Sequence, residues 1–466
     1  MVLDASIRGD VLMYKVLEEK RKGSLILPGE YGYELRRMVW NNLIDKKPAC
    51  ISVCESEEDV VQAVKFAKRN GLDISIRSGG HHVAGFGVCN GGLMIDLSNM
   101  RKVTIDENRQ VALVDGGARA GDVDKETQKF GLAVPLGTVS KVGVGGLALS
   151  GGIGYLRGKY GLTCDNIIAA RVVTNDGDIL DVNEVSHSDL LWAIRGGGGN
   201  FGVVTRFEFA LHKVGPKVFT LDVMYDYKDA KKILEKFNAF VLNATDDAIS
   251  INLTITVLPP AAFLPESLHM KKVIMVTGVY TGDIEDGEEA FKPLQELATP
   301  IIDQSMVMPF VQVQNKLDRM VQEYVNVYGT SLYFQELTEE VTDAILSKID
   351  SAPVPSVLFQ LWALGGEMNR VASDATAFAI RDAKYALLVD TMAMPGEDEM
   401  CELWTDSVYN GLLPYSHKRA SYLNGIGQGE GLARLAYQEN YNRLVQVKKR
   451  YDPDNKFRHN HNITPE

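Results

Sequence analysis

Apolar positions along the chain follow two rhythms, and the rhythm changes near residue 216. Before that point short apolar runs alternate with helical patterns. "CISVC" over 50–54 reads as a strand. "ESEEDVVQAVKFAKRNG" reads as the helix behind it, with Val60, Ala63, Val64 and Ala67 on one face. Ser56 with Asp59 makes a capping-box start, and Gly71 marks the stop. "LDISIRSGG", "GGLMIDLS", "KVTID" and "QVALVDGG" read as strands joined by short turns, and "RAGDVDKETQKFGLAVP" as a second helix. Strand-like "IIAARVVTNDGDILDV" and helix-like "SDLLWAIRG" lie between glycine-crowded stretches at 137–161 and 196–202.

From 216 to 415 glycine thins and longer alternating strands take over. In "AISINLTITV", Ile249, Ile251, Leu253, Ile255 and Val257 alternate with Ser250, Asn252, Thr254 and Thr256. That pattern predicts a half-buried strand, apolar on one face and polar on the other. Helical patterns such as "DAKKILEKFNAFV" are interleaved, which fits an antiparallel sheet backed by helices. The end, "GLARLAYQENYNRLVQVKKRYDPDNKFRHNHN", reads as one helix, a "DP" stop and a polar tail. The expected division is 1–215, 216–415 and a C-terminal return over 416–466, in an α+β fold. No internal repeat or low-complexity segment interrupts it.

Composition narrows the function classes. With 466 residues, 45% hydrophobic and 24% charged, the chain has material for a large core and reads as soluble and globular. A net charge of -12 disfavours nucleic acid and anionic membranes as partners. The start lacks a signal-peptide pattern, and no apolar run reaches the roughly 18 residues of a membrane span. Cys50, Cys54, Cys89, Cys164 and Cys401 are too scattered for a disulfide framework or a metal clip. The expectation is a cytoplasmic protein with a small-molecule partner and no metal; a homodimer is left open.

"KVGVGGLALSGGIGYL" holds glycines at 143, 145, 146, 151, 152 and 154. Such loops let backbone approach a ligand closely and form anion-binding nests of amide N–H groups. A Rossmann start is rejected: "VPLGTVSK" is not a clean strand, and six glycines in twelve residues are too many for a helix start. No phosphate-binding lysine motif is present. Glycines at 79–80 and 196–199 add two further clusters, which favours a cofactor cradle over tight turns alone.

"RSGGHH" at 77–82 sharpens this. His81 and His82 could be a metal pair, core histidines, or a nucleophile inside a cofactor loop. No further ligands lie at metal-site spacing, whereas neutral imidazole is a competent nucleophile. "RSGGHHVAGFG" resembles the flavin-attachment loop of the vanillyl-alcohol-oxidase fold, in its berberine-bridge-enzyme-like branch. "PLGTVSKVGVGGLALSGGIGYLRGKYGLTCDNI", "LWAIRGGGGNFGVVTRFEF" and "KKRYDPDNKFRHNHNITPE" are similar, in order, to the second and third flavin loops and the C-terminal segment.

The resemblance implies a two-subdomain FAD-binding domain and a substrate domain, with FAD bonded covalently through His81. By carry-over the first loop contributes Arg77, Ser78, Gly79, Gly80, His81, His82 and Gly87. The second contributes Gly137, Thr138, Val142, Gly145, Gly146, Leu149, Gly151, Gly152, Ile153 and Gly154. The third contributes Gly202, Val203 and Val204, and the C-terminal return Tyr437, Asn460 and Asn462. Val139 stands where doubly attached relatives carry cysteine, so no cysteinyl link is expected, and Cys164 only packs. Val142 occupies the position that gates oxygen in plant relatives; a small valine there implies an oxidase releasing H2O2.

In an amine-oxidising member of the branch, a substrate-domain strand carries alternating charges over the flavin. The equivalent "VLFQLWALGG" is uncharged: Leu358, Gln360 and Trp362 share a face. An amide that hydrogen-bonds and a ring that stacks suit a neutral hydroxylated substrate. Oxidising an alcohol requires a base. "SYLNG" resembles the branch's Y-x-N motif and supplies Tyr422 and Asn424; Asp390 is the second candidate, with a strand-end carboxylate as its plainer reading. A dehydrogenase with another acceptor, an NAD(P)H-dependent flavin reductase and a non-catalytic covalent flavoprotein are the competing classes.

Overall fold

The two central strands of the first sheet, Cys50–Val53 and Leu93–Asp96, are buried along their whole length because both their faces are covered. The structure, a computed structural model, describes residues 21–262, 264–319, 321, 325–429 and 431–466. Strands β1 (Ser24–Ile26), β2 (Cys50–Val53), β3 (Ile74–Arg77) and β4 (Leu93–Asp96) form a sheet in the order β1-β2-β4-β3. β2 and β3 both run parallel to β4, so a crossover must join them, and helix Glu57–Arg69 supplies it. Its expected apolar stripe packs with Cys50, Ile74, Leu93 and Ile95. The capping box is present: Asp59 N donates to Ser56 Oγ at 3.3 Å, and Ser56 N to Asp59 Oδ2 at 3.0 Å. Asp59 also accepts from the amides of Lys22, Gly23 and Glu55, so one cap pins the helix and the chain entering β1.

A second sheet is antiparallel. It joins β5 (Val103–Asp106), β6 (Val111–Asp115), β8 (Ile167–Val173), β9 (Ile179–Asn183) and β10 (Val203–Ala210) in the order β5-β6-β10-β8-β9. The two-residue strands β7 (Leu132–Ala133) and β11 (His212–Lys213) pair beside it.

The third sheet is antiparallel and eight-stranded: β12 (Lys217–Asp226), β13 (Ile249–Val257), β14 (Lys272–Tyr280), β15 (Pro300–Asp303), β16 (Met306–Pro309), β17 (Asn326–Phe334), β18 (Val357–Ala363) and β19 (Tyr385–Ala393). Its central order is β12-β14-β13-β18-β19-β17. Helices Ala230–Asn243, Gly287–Gln295, Glu339–Asp350 and Asp398–Leu412 cover one face around Leu253, Ile255, Phe359, Leu361 and Leu387.

Two expectations change here. The polar face of β13 does not meet water: Ser250, Asn252 and Thr256 are buried. It packs on the first two sheets' segments, where Gly158 N donates to Ser250 Oγ at 3.2 Å and Arg157 reaches Asn252. The C-terminal helix is two, Leu432–Tyr437 and Tyr441–Tyr451, broken where Gln438 turns to φ 47°.

The last segment returns to the first half through a buried ammonium. Lys448 Nζ donates to Asn200 O at 2.8 Å, to Phe457 O at 3.0 Å and to Asp452 Oδ2 at 2.6 Å. A buried charge of this kind persists only when fully partnered. Arg381 does the same between the third sheet's loops and the second glycine stretch, pairing with Asp165 at 2.6 Å. No described helix is long and apolar enough to cross a membrane.

Candidate active site

Three turns meet backbone on backbone. Ser78 Oγ donates to Gly116 O at 2.7 Å, tying the His81 loop to the turn after β6. A Cβ at Gly79 would lie 2.3 Å from Gly143 N, and one at Gly143 2.1 Å from Gly79 N. A Cβ at Gly116 would lie 2.2 Å from Val204 O. These glycines are what lets the loops touch.

Two others differ. A Cβ at Gly146 or Gly199 would meet nothing within 4 Å, yet both line the cavity that the loops enclose. Their missing side chains leave room for a ligand rather than for protein.

That cavity, of about 320 Å³, collects most of the expected cradle. From the first loop it takes Ser78, Gly79, Gly80, His81, His82 and Gly87. From the second it takes Gly137, Thr138, Val142, Gly145, Gly146, Leu149 and Ile153, and beyond these Gly202, Val204 and Asn460. Trp362, Tyr422 and Asn424 close it from the other side.

The remaining expected residues stand behind its wall. The Arg77 guanidinium donates to Arg36 O. Gly154 passes so close to Leu136 O that a Cβ would lie 1.6 Å from it, and Gly151 lies against Phe378. Gly152 offers its amide to Tyr422. Val203 is core, paired with Val173. Tyr437 is buried beside Gly198, and Asn462, half-buried, precedes Ile463, whose amide donates to Asn200 Oδ1; neither Tyr437 nor Asn462 is in the lining. Gln360 and Asp390 lie further along the sheet face. The helix Val144–Leu149 does begin inside the glycine cluster, contrary to expectation, but no strand leads into it.

Sequence reasoning missed several walls. Gly116 was visible only as the end of "VALVDGG". Ile74, Ile76, Leu97 and Phe457 line the end of the cavity nearest β3 and β4; as ordinary strand and tail apolars they carried no signal.

The two histidines separate by their partners. His82 Nε2–H donates to Leu423 O at 2.8 Å, and Ala84 N–H donates to His82 Nδ1 at 3.1 Å. Both its nitrogens are committed, and burial lowers its pKa to about 4. His461 donates to the same carbonyl at 3.0 Å and is lowered to about 3, chiefly by burial. His81 instead faces the cavity with its ring stacked on Trp40, centroids 5.8 Å apart at 13°.

Across the cavity, the Tyr422 hydroxyl accepts from Gly152 N at 3.2 Å, Ile153 N at 3.1 Å and Asn424 Nδ2 at 3.1 Å. Burial still raises its pKa above the ordinary tyrosine value. Trp362 lies under the Arg157 guanidinium, 5.5 Å from ring centroid to Cζ. Arg157 is 1% exposed and spends its donors on the carbonyls of Ala363, Gly154 and Ile251 and on Asn252 Oδ1. It staples the second glycine loop to β13 and β18.

The donor set fits a flavin dinucleotide: apolar walls for rings, amide-rich turns for a diphosphate, and open space at two glycines. Trp362 Nε1 and Asn460 Oδ1 are buried at the lining without a protein partner. Buried polar atoms of this kind are normally satisfied, so a bound group is their natural partner.

Comparison with known proteins agrees. A family model for the FAD binding domain matches residues 48–183, and one for berberine and berberine-like proteins matches residues 421–464. An FAD-linked oxidoreductase of Dictyostelium discoideum is 32% identical over 449 residues, 96% of this chain and 94% of its own. (R)-6-hydroxynicotine oxidase of Paenarthrobacter nicotinovorans is 31% identical over 458 residues, 96% of this chain and 97% of its own. The crystal structure of 6-hydroxy-D-nicotine oxidase from Arthrobacter nicotinovorans superposes with a TM-score of 0.85 at 29% identity, covering 96% of this chain and 99% of that one.

Proposed function

The chain belongs to the FAD-linked oxidoreductases of the berberine-bridge-enzyme-like family, and on that premise we propose that it is an oxidase of a neutral hydroxylated small molecule. FAD, when bound, supplies the two-electron acceptor. His81 holds it covalently, and no cysteinyl bond accompanies this, since Val139 lines the cavity and none of the five cysteines does. Residues 1–215 and 416–466 form the FAD-binding unit, and 216–415 the substrate unit.

The observation that carries the reading is the opposition across one cavity of side-chain-free loops and a wall made by Trp362 of β18 and Tyr422 of the C-terminal return. With its lone pairs occupied, Tyr422 donates its own O–H toward substrate or cofactor. Gln360 shares the face of Trp362 two residues along β18 and offers an amide to a hydroxyl. Residues with fixed charges, which would select an amine, do not line this cavity. Val142 lines the cavity without bulk, which supports access of O2.

The test is a peroxide assay over sugars, secondary alcohols and aromatic alcohols. Substrate-dependent H2O2 is the expected result. Anaerobic bleaching without reoxidation by O2 would point to a dehydrogenase instead. Bleaching by NADPH alone would indicate a flavin reductase.

A further inference from the structure

Resting on the reading that His81 carries the flavin, we propose that Trp40, anchored through Asn41, is the positioning residue that presents His81 for attachment. None of residues 36–46 lines the cavity. They run behind the attachment loop and hold it at successive positions. Arg36 O accepts from the Arg77 guanidinium. Trp40 N–H donates to Gly80 O at 2.9 Å. Asn41 Nδ2 donates to Val83 O at 2.7 Å. Lys46 Nζ donates to Gly85 O at 3.3 Å, and a Cβ at Gly85 would lie 2.6 Å from the Ile44 side chain. The backbone on both sides of His81 is thereby fixed from outside its own loop.

Asn41 is the anchor. It is 1% exposed, and its amide is fully engaged. Nδ2 donates to Val83 O and, at 2.8 Å, to Val327 O. Oδ1 accepts from Val327 N at 2.9 Å and from Leu43 N at 3.2 Å. β17 is the outermost strand of the third sheet's central order. By meeting both the N–H and the C=O of Val327, the Asn41 amide does what a neighbouring strand would do. Asn42 N–H extends the tie to Val325 O at 3.0 Å. One buried side chain therefore registers the attachment loop against the edge of the substrate unit. An amide with both donors and both lone pairs engaged has one orientation to adopt.

Trp40, next in the chain to this anchor, acts on the imidazole itself. Its ring lies within 13° of parallel to that of His81, centroids 5.8 Å apart. The two histidines of the loop are thus oriented by different means. His82 is held through its two nitrogens. A stacked face sets the plane of the His81 ring and engages neither nitrogen.

Attachment depends on that plane. His81 forms one C–N bond to the ring methyl of the flavin, while a C–H bond of that methyl and the imidazole N–H break. Two electrons and two protons stay with the ring until O2, the co-reactant, takes them up as H2O2. Bond formation between two held groups is steeply sensitive to their alignment.

The test follows attachment in apoprotein from riboflavin-starved cells. Excess FAD is added, and acid-stable flavin is measured against time beside thermal melting of each apoprotein. W40A should attach flavin about 10- to 100-fold more slowly than wild type. W40L, which fills the site without a flat face, should be as slow and replaces W40A if that variant does not melt cooperatively. W40F should recover to within about threefold of wild type. N41D keeps an acceptor for Val327 N and Leu43 N but has no donor for Val83 O, and should be slowed as W40A is. FAD affinity, read by flavin fluorescence with W40A and H81A combined, should stay within about threefold of H81A alone.

W40A and W40L attaching flavin at the wild-type rate overturn the assignment, and so does a W40F as slow as they are. A loss of affinity that matches the slower attachment also overturns it, since Trp40 would then serve binding. A folded N41D at the wild-type rate removes the anchor. Wild-type apoprotein that gains no acid-stable flavin overturns the attachment reading and this assignment together.

Discussion

The cradle is shaped by residues that have no side chain; the sheet that faces it is shaped by what its side chains project. Gly79, Gly116 and Gly143 work by letting turns touch, and Gly146 and Gly199 by leaving space. Trp362, Gln360 and Asp390 share one face of a regular ladder. The difference teaches where each half tolerates change. A cradle of backbone contacts is set by the fold itself, and almost any addition damages it. A ladder keeps its geometry when a side chain is exchanged, so substrate choice can vary without rebuilding the cofactor site.

The sharpest way to break this comparison is at the attachment point. H81A should lose all covalent flavin, measured as yellow colour retained in an acid pellet. H82A should retain covalent flavin, because both ring nitrogens of His82 are already committed, to Leu423 O and to Ala84 N.

Next come the two kinds of glycine. G143A drives a methyl to 2.1 Å from Gly79 N and should cost about 3 kcal/mol or more in unfolding. G146A fills open space at a helical position; it should leave the apoprotein as stable or up to about 1 kcal/mol more so, yet lower flavin incorporation. If both variants behave alike, the distinction between contact glycines and space glycines fails.

Acid tests the junction at Leu423, where His82 of the attachment loop meets the C-terminal return. His82 is lowered to about 4 from an ordinary value of 6.5, so its neutral form stabilises the fold above pH 6.5. That contribution, about 3 kcal/mol, should be lost as pH falls through 6.5 toward 4. Chemical denaturation of H82N over this range should show a flatter decline than wild type.

The smallest effect is expected on the ladder. Q360A should raise KM by roughly three- to tenfold, the worth of one hydrogen bond of about 1 kcal/mol, with flavin content unchanged.

Legibility in the sequence followed the same divide. Helix Glu57–Arg69 was legible to its cap because capping box, apolar stripe and stop all lie within the segment. The glycine clusters announced a cradle because so much missing side chain in three places has few other uses. Which glycine touches backbone and which faces a ligand depends on a partner turn distant in sequence, as with Gly79 and Gly143. The alternation in "AISINLTITV" was legible as a strand, but Ser250, Asn252 and Thr256 looked solvent-facing because nothing local reveals that Arg157 and Gly158 cover them. Asp390 carried the same ambiguity. One carboxylate in an apolar run reads as a strand end until the register with β17 and β18 places it mid-ladder.

The claim on which the rest depends is that His81 carries the cofactor. Mass spectrometry of the acid-denatured, proteolysed protein tests it directly. The account predicts the mass of FAD on the peptide containing His81 and on no cysteine peptide. A colourless protein after incubation with excess FAD, or an adduct on any other residue, would contradict it.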